Sequence, residues 1–225
     1  IPFLHISAYY NSLECFKYLH EEKKLPLRSL SKDYFFPLHY ACYIGELDLV
    51  RFFLSLKDCD INIFPSPLYL AVKNGHSQTV SMLIEIPSLD INALGEDGCT
   101  SLFLAAMLFY NEIVSLLLTR KDIDPNILNI GYVPLQIAVL KNNIEAVKLL
   151  VNDDRTNLNA QGKDGDTALH YAISLNEIDI VKILLNSKRI DVNAVNNELN
   201  TPLHQAALFN CAEAVDLLVN HEDID

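Results

Sequence analysis

A short motif returns through the whole chain at a nearly constant interval, and that period restricts the fold more than any other feature. Its copies read FLHISA (3–8), PLHYAC (37–42), PLYLAV (67–72), SLFLAA (101–106), PLQIAV (134–139), ALHYAI (168–173) and PLHQAA (202–207). The residues preceding them are Pro2, Phe36, Ser66, Thr100, Val133, Thr167 and Thr201, so the intervals are 34, 30, 34, 33, 34 and 34 residues. Such self-similarity marks a stack of repeated supersecondary units. A single unit cannot bury its apolar face alone, and neighbours must cover it.

Each unit has an internal order. Thirteen residues after the aligned position a second apolar pattern opens, as in LVRFFL (49–54), IVSLLL (113–118), AVKLLV (146–151), IVKILL (180–185) and AVDLLV (214–219). Apolar residues at i, i+1, i+4 and i+5 predict a helix with one broad buried face. Between the two helices stands Asn11, Gly45, Gly75, Asn142, Asn176 or Asn210, residues that tolerate the positive φ with which helices commonly end. Phe109 fills this slot in the fourth unit. A bulky residue is strained there, which predicts a distorted turn. After the second helix come Asp60-Ile61-Asn62, Asp90-Ile91-Asn92, Asp124-Pro125-Asn126, Asn157-Leu158-Asn159 and Asp191-Val192-Asn193, and the chain stops at what reads as the same motif, Asp223-Ile224-Asp225. Asp and Asn side chains bond nearby backbone in turns. The stretches GEDG (95–98) and GKDGD (162–166) predict hairpin turns.

TPLH-x-A, the apolar second helix and D-x-N ahead of a Gly-containing turn together resemble the ankyrin-repeat family over essentially the whole chain. The resemblance implies an all-α repeat solenoid, a curved stack of antiparallel helix pairs with β-hairpin fingers, in which the Thr and His of the motif tie finger to helix. The expected organisation is one domain over 1–225 of about seven units: 1–35 (degenerate), 36–65, 66–99, 100–132, 133–166, 167–200 and 201–225 (truncated). The D-x-N motif comes one residue later than in a 33-residue repeat, which predicts an irregular corner. Only Ile63-Phe64-Pro65 separates Asn62 from Ser66, too little for a full finger. Residues 21–35 read as an irregular linker. A first residue that is not Met, an apolar opening IPFLHISAYY and a last helix patterned like internal ones predict a fragment of a longer array, since terminal repeats normally have polar outer faces.

Composition excludes several functions. Half the residues are hydrophobic and the formal net charge is −12, so a sizeable core is expected and nucleic acid is a poor partner. No apolar run approaches the roughly 18 residues of a membrane span. Five cysteines without a C-x-x-C pair give no disulfide framework and point to a reducing, intracellular setting, the cytoplasm first. No G-x-S-x-G, H-E-x-x-H or phosphate-cradling loop occurs, so no enzyme activity is expected.

Four histidines, His5, His39, His170 and His204, share one slot of the repeat, which Tyr69, Phe103 and Gln136 fill elsewhere. Packed repeats recur at roughly 10 Å, whereas zinc ligands all lie about 2 Å from the metal. The column is therefore structural, and no metal or cofactor is implied. His20, His76 and His221 read as surface or packing residues. The charged runs 21–24, Arg120-Lys121 and Lys188-Arg189 and the carboxylate pairs Glu96-Asp97 and Asp153-Asp154 read as solvated.

The remaining signal lies on the first helices. Their open side falls at the x of the motif and three and four residues beyond. The x column reads Ile6, Tyr40, Leu70, Leu104, Ile137, Tyr171 and Gln205, and partial burial between neighbouring helices is expected for it. The further columns contain Tyr9, Tyr10, Tyr43, Ile44, Lys73, Asn74, Met107, Leu108, Leu140, Lys141, Ser174, Leu175, Leu208 and Phe209. Ten of these fourteen are apolar or aromatic, and contiguous exposed apolar patches mark interaction sites. The candidate partner-binding residues are Tyr9, Tyr10, Tyr43, Ile44, Met107, Leu108, Leu140, Lys141, Leu175, Leu208 and Phe209. Finger-tip residues Leu94, Glu96, Gln161, Lys163, Val195 and Asn197 join them. The expected function is protein–protein interaction by a monomeric domain. The alternatives are a spring-like spacer, or a targeting or regulatory region of a larger protein whose activity lies outside this sequence.

Overall fold

A computed structural model describes residues 3–26, 35–56 and 59–225. Pro2 and residues 27–34 of the expected linker lie outside the described residues, as do Lys57 and Asp58. The described residues form helix pairs and no strand. In the first unit of contact, Ile1–Ser101, the pairs are α1 (Phe3–Tyr9) with α2 (Leu13–Lys17), α3 (Pro37–Ile44) with α4 (Leu47–Ser55), and α5 (Pro67–Lys73) with α6 (Ser77–Ile84). A π-helical turn, Tyr18–Glu22, extends α2. The second unit, Leu102–Asp225, begins within α7 (Ser101–Met107). It continues with α8 (Asn111–Leu118), α9 (Pro134–Leu140), α10 (Ile144–Val151), α11 (Ala168–Ser174), α12 (Ile178–Leu185), α13 (Pro202–Leu208) and α14 (Ala212–Val219).

First helices stack on first helices and second on second. In the first unit α1 packs on α3 and α3 on α5, with α4 on α6; in the second α9 packs on α11 and α11 on α13, and α8, α10, α12 and α14 follow one another. The predicted buried face is the one observed: α10 buries Ala146, Val147, Leu150 and Val151, and α12 buries Ile180, Val181 and Leu184. Pro at the first helical turn in α3, α5, α9 and α13 gives up an N–H that would have no intrahelical acceptor.

The helix–helix turn is one repeated structure. The residue after the slot donates its N–H five residues back, as in Glu46 to Ala41 O, Asn143 to Ala138 O, Glu177 to Ala172 O and Cys211 to Ala206 O (2.8–3.2 Å). This bond needs a left-handed residue just before it, and Gly45, Gly75, Asn142, Asn176 and Asn210 have φ of +80, +72, +53, +56 and +56°. Phe109 adopts φ +63°, and Tyr110 N–H reaches Ala105 O at 3.0 Å like its counterparts. The expected distortion is absent: the turn is conserved in form, and the strain resides in the Phe109 backbone itself. At Gly45 a side chain is also excluded by space, because a Cβ would stand 2.5 Å from the His76 ring.

The fingers close with little ladder. Single antiparallel bridges join Leu94 to Thr100 and Asn129 to Tyr132. Residues 62–66 form no bridge, as their shortness predicts.

Candidate functional site

His5, His39 and His170 reach the carbonyl immediately ahead of the following repeat, whereas among the described residues His204 bonds only Thr201 of its own motif. Phe36 N–H donates to His39 Nδ1 at 2.8 Å, so the proton is on Nε2, which donates to Pro65 O at 2.7 Å. Pro65 immediately precedes the next aligned residue. His170 repeats this arrangement between Thr167 and Asn200 O (3.0 Å), and His5 Nε2 meets Phe35 O at 2.9 Å. Gln136 imitates an imidazole: Oε1 accepts from Val133 N, and Nε2 donates to Ala160 O and Asp166 O. Tyr69 solves the same problem by donating its hydroxyl to Asp97 Oδ2 at 2.6 Å. Burial pushes the His39 imidazole down to about 4, against the opposing pull of Pro65 O, and burial also lowers His170. In His39 and His170 the Nδ1 lone pair accepts a backbone N–H and Nε2 donates to a carbonyl, so neither neutral imidazole has a nitrogen lone pair left for a metal. Among the described residues no group of three His, Cys, Asp or Glu is placed to hold a metal ion.

The D-x-N motif does more than close a turn. Its first side chain bonds the third residue's N–H locally, as in Asp124 Oδ1 to Asn126 N (2.9 Å) and Asp191 Oδ1 to Asn193 N (3.0 Å). The Asn then clamps the next repeat. Asn126 reaches Arg155 O and Asn157 N, and Asn159 reaches Arg189 O and Asp191 N; Asn62 does likewise with Ser88 O and Asp90 N. Asn193 takes Asp223 O and Asp225 N. This corrects the register at the end of the chain: Asp225, not Asp223, occupies the first position of the last motif, 34 residues after Asp191.

Two charged clusters read as solvated are also structural. Arg189 donates to Val151 O at the end of helix α10 and to Asp153 O, Asp154 O and Thr156 O in the turn that follows it, satisfying one carbonyl that the helix leaves without an intrahelical donor. Arg155 likewise donates to Leu118 O at the end of α8 and to Arg120 O just beyond it, while its guanidinium also grips Asp153. That bond holds the Asp153 carboxyl below the usual carboxylate range.

Removing the scaffold residues leaves the surface. The x column is mostly buried: Leu70, Leu104, Ile137, Tyr171 and Gln205 face neighbouring structure, and Gln205 Nε2 donates to Ser174 Oγ at 2.8 Å. Ile6 is exposed and Tyr40 half-buried. The outer columns differ. In the first unit Tyr9 is 49%, Tyr10 72% and Tyr43 42% exposed. Tyr9 stands edge-on to both Tyr10 and Tyr40, with ring centroids at 5.2 and 6.0 Å. In the second unit Leu108, Leu175, Leu208, Phe209 and Lys141 are exposed, and Met107 and Leu140 half-buried; Ile44 of the first unit is also half-buried.

The finger residues divide. Leu94 and Val195 are exposed apolar side chains. Glu96 pairs with Lys73, Gln161 Nε2 donates to Val195 O at 2.7 Å, Lys163 lies over the Tyr132 ring, and Asn197 N–H donates to Asp164 O. These four polar residues hold fingers in place. Missing from the sequence-based set are Phe64, Leu128, Ile130 and Leu199, all exposed. Alignment of the fingers was the available signal, since Phe64, Leu94, Leu128 and Val195 each stand two residues after the Asn of the motif.

A family model of ankyrin repeats matches in three copies, over residues 2–65, 64–129 and 135–225. The chain belongs to the ankyrin-repeat family. Among characterised proteins, this ankyrin chain is 26% identical over 155 residues to transient receptor potential cation channel subfamily A member 1 of Homo sapiens, covering 66% of this chain and 14% of that protein. It is 30% identical over 141 residues to the B-cell lymphoma 3 protein homolog of Mus musculus, covering 60% and 31%. The solved ankyrin repeat domain of Bcl-3, a member of the IkappaB protein family, matches with a TM-score of 0.85 at 26% identity over 98% of this chain and 99% of that one. The chain spans at most 31% of the length of these two curated relatives. Ankyrin repeats are in general protein-interaction modules. No described helix is long and apolar enough to cross a membrane.

Proposed function

We propose that this chain is a non-enzymatic, intracellular module that binds a protein partner through its first-helix face together with the finger tips, as a monomeric array of about seven units and without a cofactor. The observation that carries the reading is the segregation of exposed apolar residues. Scaffold positions of the first helices are buried, while three and four residues beyond the x of the motif Tyr43, Leu108 and Leu175 remain 42%, 36% and 46% exposed. Solvent disfavours such a column, and desolvation by a partner favours it.

Separate substitution of Tyr43, Leu108 and Leu175 by Glu tests this. Each variant is expected to keep its circular-dichroism spectrum and unfolding midpoint, and to lose at least about tenfold in affinity for a saturable partner captured by the full chain, as central interface residues do. Unfolding of the variants identifies these side chains as core. A folded variant that binds unchanged moves the interface to the fingers.

A further inference from the structure

Three fingers share one turn. Gly98 N–H bonds Gly95 O while Gly95 N–H bonds Cys99 O; Gly165 with Gly162 and Asp166, and Leu199 with Asn196 and Asn200, repeat the pattern at 2.8–3.1 Å. The turn places its fourth residue in the left-handed region, a position that selects Gly. Gly98 and Gly165 have φ +74 and +75°, and Leu199 has φ +63°. In the finger before Gly165, the two-residue loop Ile130-Gly131 has φ +45 and +92° between Asn129 and Tyr132, which exchange both backbone bonds. A β-branched Ile is an outlier in this region, and a Leu is strained there.

Burial does not compensate either residue: Ile130 is 66% and Leu199 77% exposed. Backbone conformation and solvation both oppose an apolar side chain at these two tips, so the fold does not account for them. Strain of this kind gathers at ligand contacts.

The tips are also held relative to one another. Lys163 N–H donates to Gly131 O at 3.0 Å, Asn197 N–H to Asp164 O at 3.3 Å, and Asn196 Nδ2 to Asp166 Oδ1 at 2.7 Å. Asp164 lies on the finger between those of Ile130 and Leu199, Glu198 precedes Leu199 in its own turn, and both residues are exposed. Neither is in an ion pair among the described residues; Glu198 accepts only from Asn200 Nδ2, and the neighbouring Lys163 ammonium lies over Tyr132. The chain as a whole carries −12.

We propose that Ile130 and Leu199, with Asp164 on the intervening finger and Glu198 beside Leu199, seat an extended basic segment of a partner protein that carries an apolar residue at each end. This rests on the interaction reading above and names the partner's chemistry. Repeats stacked at roughly 10 Å place the two tips about 20 Å apart. An extended chain at about 3.3 Å per residue covers that distance in about six residues.

The test uses the full chain with labelled Ile and Leu methyl groups and two synthetic peptides, LSRSRSL and LSESESL. The basic peptide is expected to shift the Ile130 and Leu199 methyls saturably, more weakly as salt rises, and the acidic peptide is expected to leave them still. Asp164→Asn with Glu198→Gln should weaken LSRSRSL at least about threefold. Ile130→Gly and Leu199→Gly should each raise the unfolding midpoint by roughly 2–4 °C, because Gly relieves the left-handed strain, while weakening the peptide. A fall in the midpoint of both Gly variants, equal shifts from both peptides, or no shift at the tips overturns the proposal. Shifts confined to the methyls of Leu108 or Leu175 overturn it while leaving the broader interaction reading intact.

Discussion

Replacing Asn159 by Ala isolates the bond between repeats from the bond within a turn. The side chain donates to Arg189 O at 2.9 Å and accepts from Asp191 N at 2.8 Å, both on the following repeat. Each such bond contributes a net ~0.5–1.5 kcal/mol, and partial solvent access at Asn159 favours the lower half of that range. The expected loss is about 1–2 kcal/mol. Asn157→Ala is the matched control: it removes only the local bond to Asn159 N at 3.0 Å, and its own N–H keeps its acceptor, Asn126 Oδ1. About 0.5–1 kcal/mol is expected there. Because a solenoid is stabilised by terms between nearest neighbours, Asn159→Ala should also let helices α11 to α14 open before the rest. Urea unfolding measures the first effect, and hydrogen exchange resolved by helix measures the second. Equal destabilisation by the two substitutions, or uniform exchange in both, refutes the assignment of Asn159 as a clamp between repeats.

Acid should destabilise the fold before the carboxylates titrate. The His39 imidazole is neutral when folded, pushed down to about 4 from 6.5 chiefly by burial, so the unfolded chain binds more protons between those values. Its contribution is present above pH 6.5 and lost as pH falls toward 4, about 3 kcal/mol in total; His170 acts in the same direction. His39→Gln, copying Gln136 in the same slot, should flatten this part of the stability–pH curve measured by denaturant titration, and an unchanged slope contradicts the mechanism. Phe109→Asn should stabilise by about 1 kcal/mol, since Asn tolerates φ +63° and the ring is already 53% exposed. A lower melting midpoint for that variant shows that the ring's packing outweighs the strain.

Period and pattern in the sequence determine the architecture here, for a physical reason. When every unit is nearly the same, each helix meets a copy of its own neighbours, so a local apolar pattern such as AVKLLV (146–151) also specifies its tertiary partners. The buried face of α10, the left-handed slot at Asn142 and the shortened finger at 62–66 were all legible in that way. The histidine column was legible as structural because ligands one repeat apart cannot share a metal.

Tertiary structure alone decided which of the repeated side chains remain in water. Leu104 and Leu108 are both apolar and stand one helical turn apart on the open side; the pattern expects only partial burial of the first, whereas the structure buries it to 3% exposure and leaves the second 36% exposed. Asn159 reads as a turn residue until a second strip of main chain, 30 residues on, supplies Arg189 O. Phe109 reads as a misfit until the backbone shows it adopting the conformation that its Gly and Asn counterparts adopt. A one-dimensional pattern records what a residue is and how often it returns. Exposure, strain and bonds between repeats depend on the distance to atoms far along the chain, and packing sets that distance.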